Sequence, residues 1–274
     1  MKSFIILVCL AGLFTGKTTL AQAQSSYALP DNFRFDYEVS QKLTSKKNAA
    51  DTCTMHFFYT KSAEYAAARF SGMEKMKGNM TMVITKDGYL SIFDDQHKRV
   101  IILSTHKLMA DLMNLVKYIK VDSLMANLKG KMNGGGNGFQ STKTGNHKTI
   151  GNYTAEEYTA SDSHGAKSTV WIAKMDFDTQ VDYLLSALGG GGMLKMMGNS
   201  ASSATHPLMQ AMIQSRSLVT EVMSVDSAGR TFSLYTTSIS AAPSSIAVSG
   251  YTVSNYTNMG FMEIMGAEMR RKNE

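Results

Sequence analysis

Apolar and polar positions alternate along much of the chain. Phe33, Phe35, Tyr37 and Val39 have polar neighbours and predict one amphipathic strand over about 33–42, with a second strand at 52–60. Met80, Met82 and Ile84 share one face of a strand over 80–85. Asp87-Gly88 supplies the positive-φ position that a tight hairpin turn requires, and the chain returns through Tyr89–Phe93. Asp94–His97 reads as a second turn. Val100–Leu103 after it is a continuous apolar run, the pattern of a strand buried on both faces. Short turns joining three consecutive strands predict a meander.

The period changes at Lys107. Leu108, Leu112, Leu115, Val116 and Ile119 recur at helical spacing over 107–120, and a weaker helix is expected over 123–129. The glycine-rich run at 134–138 cannot hold regular structure cheaply and separates two β-rich halves. Strands resume over 153–160 and 167–173 around a turn at 162–165, with Trp171 on the face of Thr169. Residues 179–215 are helical and irregular: Val181, Leu184, Leu185 and Leu188 form a stripe, Gly189–Gly192 break it, and Pro207 opens another helix at a position that tolerates proline. A hairpin over 218–226 and 231–239, with Val219, Met223, Phe232 and Leu234 as its apolar positions, and a short strand through Tyr251 complete the pattern.

The first residues stand apart. Lys2, an apolar run from Phe4 to Phe14 and the small-residue site Ala21-Gln22-Ala23 occur in the order of a cleavable secretory leader at 1–23. The run is shorter than the roughly 20 residues that span a bilayer, so no transmembrane anchor is expected. Bulky Leu7 and Val8 precede Cys9 where an acylated cysteine would follow small residues, so no lipid anchor is expected either. A mature chain over 24–274, periplasmic or secreted, keeps only Cys53 and can form no internal disulfide. Loss of Lys2 and Lys17 lowers the formal charge from +6 to +4, and the remaining basic residues are scattered, which argues against a nucleic-acid partner.

Candidate chemistry is sparse. Gly12–Thr18 looks like a phosphate-binding loop but is one residue short between its glycines and lies in the leader. The histidines at 56, 97, 106, 147, 164 and 206 occur singly, and Asp94-Asp95 is better explained by turn chemistry than by a carboxylate pair. Cys53 reads as a small buried hydrophobe. No catalytic residue, metal ligand set or cofactor is expected, and the chain reads as no enzyme. Methionine is the anomaly, with clusters at Met73, Met76, Met80 and Met82, at Met193, Met196 and Met197, and at Met259, Met262, Met265 and Met269. Three readings compete: filler for an irregular core, an adaptable apolar groove, or soft thioether ligands for Cu(I), in which Met-x-x-Met spacing puts two sulfurs on one helical face.

Thr85–Ser104 resembles the strand-turn-strand segment of periplasmic lipoprotein carriers of the LolA type, in which a Lys-Asp-Gly turn precedes an aromatic strand. Lys148–Ala173 is similar to the secreted bacterial family called domain of unknown function 4412, through its Ile-Gly-x-Tyr turn, Glu-Tyr strand and Val-Trp strand. These resemblances imply a mostly β, α+β fold: a curved antiparallel sheet or half barrel wrapped around one or two helices, forming a single domain over 24–274 with helical insertions at about 107–130 and 179–215. They also imply an apolar cavity between sheet and helix. The residues expected to line it are Met80, Met82, Ile84, Leu108, Leu112, Leu115, Val116 and Trp171. The partner expected is a lipid, an acyl chain or a lipidated protein. The alternatives are a methionine-rich copper-handling protein and a structural or interaction module.

Overall fold

The computed structural model describes residues 27–45, 52–72, 79–108, 110–111, 140–161, 166–179, 211, 214, 216–225, 229 and 231–272. The leader, the glycine run at 134–138, the turn at 162–165 and nearly all of the two helical insertions, with Leu112, Leu115 and Val116, lie outside the described residues. So do Met73, Met76, Met193, Met196 and Met197.

Along the chain come β1 (Asn32–Phe35), β2 (Tyr37–Ser45), β3 (Thr52–Tyr59), β4 (Tyr65–Ser71), β5 (Met80–Thr85), β6 (Tyr89–Asp94) and β7 (Arg99–Ser104). After them come β8 (Gln140–Ile150), β9 (Tyr153–Ser161), β10 (Lys167–Lys174), β11 (Ser217–Val225), β12 (Thr231–Ser240), β13 (Ser244–Ala247), β14 (Thr252–Asn255) and the helix α1 (Phe261–Lys272). The fold is sheet-dominated. Twelve strands form one sheet in the order β14-β7-β6-β5-β4-β3-β2-β12-β11-β10-β9-β8, and β1 pairs with β13 in a separate ribbon. Neighbours in the large sheet are antiparallel except β14, which joins β7 in parallel. β14 and β8 are its two edges, so the sheet is open.

The expected meander is β5–β6–β7, and Gly88 has the required positive φ of 79°. A Cβ there would lie 2.6 Å from His106 Nε2 and 2.8 Å from Thr105 Oγ1, so steric closeness as well as backbone conformation demands glycine. At the second turn Asp94 Oδ1 accepts hydrogen bonds from the Gln96 and His97 amides, the turn role expected of it.

Several expectations are corrected. The strand predicted over 33–42 is two strands broken at Asp36, whose amide donates to the Tyr59 carbonyl and whose Oδ2 accepts from the Lys61 amide at 2.7 Å. Phe33 and Phe35 therefore enter a different core cluster from Val39. β4 and β8 escaped the pattern because β4 carries three alanines, weak strand formers, and β8 is almost wholly polar. β7 is not buried on both faces: Val100 and Ile102 are buried, whereas Ile101 and Leu103 are half-buried. Tyr251 lies in the link between β13 and β14, and the methionine-rich C-terminal segment is the helix α1.

Three apolar clusters hold the described parts together. The ribbon β1–β13 lies on one face of β3–β7, joining Phe33, Phe35 and Ile246 to Phe58, Ala67, Val83, Phe93 and Val100. Its rings meet edge-on, as in Phe33 against Phe93 at 6.3 Å and Phe35 against Tyr65 at 5.4 Å, an arrangement that suits the aromatic quadrupole. A second cluster joins Val39, Tyr59, Ala66 and Ile84 to Ala155, Ala173, Met175, Phe177 and Leu218, and a third joins Tyr158, Ala160, Val170 and Ile172. β11 and β12 pair only as far as Glu221–Tyr235, while β10 and β11 pair on to Lys174–Ser217. Gln41 bridges that gap, its Nε2 donating to the Val219 carbonyl at 2.7 Å and to Thr236 Oγ1 at 3.1 Å.

Candidate functional site

The register of β5–β7 places Met80, Met82 and Ile84 opposite Asp94, Ile92 and Leu90, and Ile92 and Leu90 opposite Ile101 and Leu103. On β4 the same face continues through Ala66, Ala68 and Phe70, opposite Ile84, Met82 and Met80. Residues paired across a ladder share a face, so these side chains, Asp94 at one end apart, form one sheet of aliphatic, thioether and aromatic surface. Ile84, Ala66 and Ala68 are buried. Met80, Met82, Leu90, Ile92, Ile101, Leu103 and Phe70 are half-buried.

The opposite face has the reverse character. Thr81, Val83, Ser91, Phe93 and Val100 alternate with the residues just named, and each is at most 2 % exposed. Hydroxyl-bearing Thr81 and Ser91 are thus sealed under the β1–β13 cluster, while the other side, apolar except for Asp94 and Arg99 at one end, is the less covered one. Burial ordinarily follows apolarity, so a contiguous apolar face left half-covered is the informative observation.

Of the expected lining residues, the structure brings together Met80, Met82 and Ile84. Leu108 is half-buried just beyond the end of β7. Trp171 is on β10, six places from β5 in strand order, yet it packs at the margin of the cluster that contains Ile84. Its ring is capped by Lys148, whose Nζ lies 4.3 Å from the centroid and pairs with the Glu221 carboxylate. The sequence reading missed Leu90, Ile92, Ile101, Leu103 and Phe70. Alternation was visible for β6 but not in the continuous apolar run of β7, and only register shows that these residues share the face of Met82.

At the β7 end this face meets α1. Arg99, two residues before Ile101 on the same strand face, is 6 % exposed and grips Glu268 in a forked pair, Nη1 to Oε2 at 2.8 Å and Nη2 to Oε1 at 2.5 Å. Arg99 also donates through Nε to Ser254 Oγ at 2.8 Å and through Nη2 to Tyr256 OH at 2.9 Å, and the Tyr256 hydroxyl donates to Glu268 Oε1. The Arg99 hydrogen bonds, helped by Tyr256 and Arg271, pull the Glu268 carboxyl down to about 2. At the helix start the Phe261 amide donates to Asp111 Oδ2 and the Gly260 amide to Glu263 Oε2.

Other constellations offer less. Ser40, His56 and Glu38 resemble an acyl-transfer triad, but Ser40 Oγ at 3.0 Å and Glu38 Oε1 at 2.8 Å meet the same ring nitrogen, Nδ1. A triad needs the hydroxyl and the carboxylate on different nitrogens, so this arrangement cannot relay the serine proton. Cys53 is buried and burial pushes its thiol up, which keeps it a poor nucleophile. A surface depression of about 450 Å³ is lined by Asn152, Tyr153, Lys174, Met175 and Asp176, of which Tyr153 and Met175 belong to the cluster that holds Ile84, and one of about 330 Å³ is lined mainly by polar residues of β8–β10. No helix among the described residues is long and apolar enough to cross a membrane.

No family model matches the chain, and no curated protein is similar to it in sequence. The likeness of Lys148–Ala173 to domain of unknown function 4412 therefore remains a resemblance of that segment. Among solved structures, a DUF1329 family protein from Desulfovibrio piger aligns over 76% of this chain and 85% of its own, with 8% identity and a TM-score of 0.24. A likeness at that TM-score carries no argument about this chain.

Proposed function

We propose that the chain is a non-enzymatic binding protein for an apolar ligand, an acyl chain or the lipid of a lipoprotein, held on the β4–β7 face by a sheet that curves in the manner of the LolA-type carriers. One observation carries the reading: the face of Met80, Met82, Leu90, Ile92, Ile101 and Leu103, apolar except for Asp94 and Arg99 at one end, is half-covered, although the same strands seal threonine and serine on their other side. Unbranched methionines at its centre suit a ligand of variable shape. The transfer of a chain of methylenes to such a face is favourable by about 0.8 kcal/mol for each buried group. Titration with a fluorescent fatty acid tests the proposal. Saturable binding is expected, and Met82→Trp, which fills the middle of the face, weakens it while circular dichroism stays unchanged. Absence of saturable binding, or binding indifferent to Met82→Trp, rejects the reading in favour of a structural or interaction module.

A further inference from the structure

The helix α1 shows a second apolar surface that the sheet does not use. Met262, Met265 and Met269 are 64%, 44% and 58% exposed. Their spacing of three and four residues sets them in one narrow stripe, since such positions stack along a helix face. Exposed thioethers contribute nothing to the core. Arg270 and Arg271 in the last turn are exposed, Arg271 also donating to Glu268, while Glu263 at the other end of the helix is the exposed acid. Arg270 lies along the stripe, with Nη1 3.6 Å from the point where a Cβ on Gly266 would sit. The half-buried acid of the helix, Glu268, is paired with Arg99.

The helix is also held in a defined rotation. The forked Arg99–Glu268 pair and the Asp111 contact at its start tie the helix to β7 and to the segment after it, while the three methionines stay exposed. Twelve residues make a helix about 18 Å long, too short to span a bilayer but long enough to lie on one.

We propose that α1 docks the protein onto an anionic lipid surface, Met262, Met265 and Met269 entering the acyl boundary while Arg270 meets phosphate headgroups. An amphipathic helix with apolar and cationic residues side by side binds such an interface through both terms together. The charges decide between this occupant and a soft metal ion: a guanidinium beside the thioethers attracts phosphate and repels Cu(I). The inference stands on α1 alone and does not depend on the ligand-binding reading of the β4–β7 face.

Flotation of the full chain with vesicles tests it, comparing phosphatidylcholine alone with phosphatidylcholine containing phosphatidylglycerol. Binding is expected only to the anionic vesicles and falls with added salt. Arg270→Glu weakens it about tenfold, in line with the worth of a basic residue near such a surface. Met265→Asp with Met269→Asp abolishes it, and Met82→Trp leaves it unchanged. Should the double variant fold poorly by circular dichroism, Arg270→Glu alone decides. The proposal is overturned if anionic vesicles are not bound, or if binding is indifferent to the α1 substitutions, as it would be through the apolar segment Phe4–Phe14. It is equally overturned if the stripe binds Cu(I) stoichiometrically or pairs two copies of the chain while vesicles are ignored.

Discussion

On one side of β5–β7, Val83, Phe93 and Val100 are sealed together with Thr81 and Ser91, while on the other Met80, Met82, Leu90, Ile92, Ile101 and Leu103 stay half-covered. The strands are the same and the register is the same, so local propensity cannot explain the difference. What differs is the cover. The ribbon β1–β13 brings Phe33, Phe35 and Ile246 down on the first face, and those rings pack closely enough to bury hydroxyls along with the apolar side chains. The comparison shows that coverage here follows chain topology, and that among the described residues the more apolar face is the less covered one.

The largest effect should separate the two faces directly. Phe93→Ala, which empties a site 1 % exposed inside an aromatic cluster, is expected to destabilise by about 4 kcal/mol. Its neighbour Ile92→Ala, on the half-covered face, should lose only about 1 kcal/mol, since a half-exposed side chain forfeits part of its transfer energy. Urea unfolding of both variants measures the gap, and equal losses would mean that both faces are core.

The next effect lies where the open face meets α1. Glu268→Gln leaves the Arg99 guanidinium buried without its counter-charge and should destabilise by about 3 kcal/mol, more than Arg99→Met, which removes the costlier buried ion and leaves Glu268 in reach of Tyr256 and Arg271. The same pair predicts a pH dependence. The folded-state carboxyl, at about 2, is depressed from its ordinary 4.5, so its contribution is complete above about pH 4.5 and is lost as pH falls through the interval down to about 2. Acid titration of thermal stability should show a loss in that window for the parent chain and a smaller one for Glu268→Gln.

The smallest effect tests the polar residues of the sealed face. Thr81→Val adds apolar surface to a buried site, yet it removes the acceptor of the Arg69 Nε hydrogen bond at 3.1 Å. A loss of about 1 kcal/mol is expected in denaturant unfolding. A gain would show that the hydroxyl on this face is a mere passenger.

Much of this architecture was legible in the alternation of residues. The hairpin at Asp87-Gly88, the turn at Asp94–His97 and the meander they join follow from turn chemistry and a period of two, which act over a few neighbouring residues. The same locality explains the misses. Tyr65–Ser71 is a strand although its three alanines favour no strand, because Ala66, Ala67 and Ala68, all fully buried, let partners approach both faces of β4. Asp36 divides one apparent strand into two because Tyr59 and Lys61, far along the chain, take its backbone and side chain.

By itself, the sequence determined that Met80, Met82 and Ile84 would stand on one side of a strand and Thr81 and Val83 on the other, since side-chain direction alternates in any extended chain. It also determined the helical spacing of Met262, Met265 and Met269. Only the tertiary structure decided which side would be sealed, because sealing depends on where β1 and β13 return after more than 200 residues of separation. It likewise decided that Arg99 and Glu268, 169 residues apart, would meet and tie α1 to β7. A period states how many faces an element has; contacts between distant segments state what each face is against.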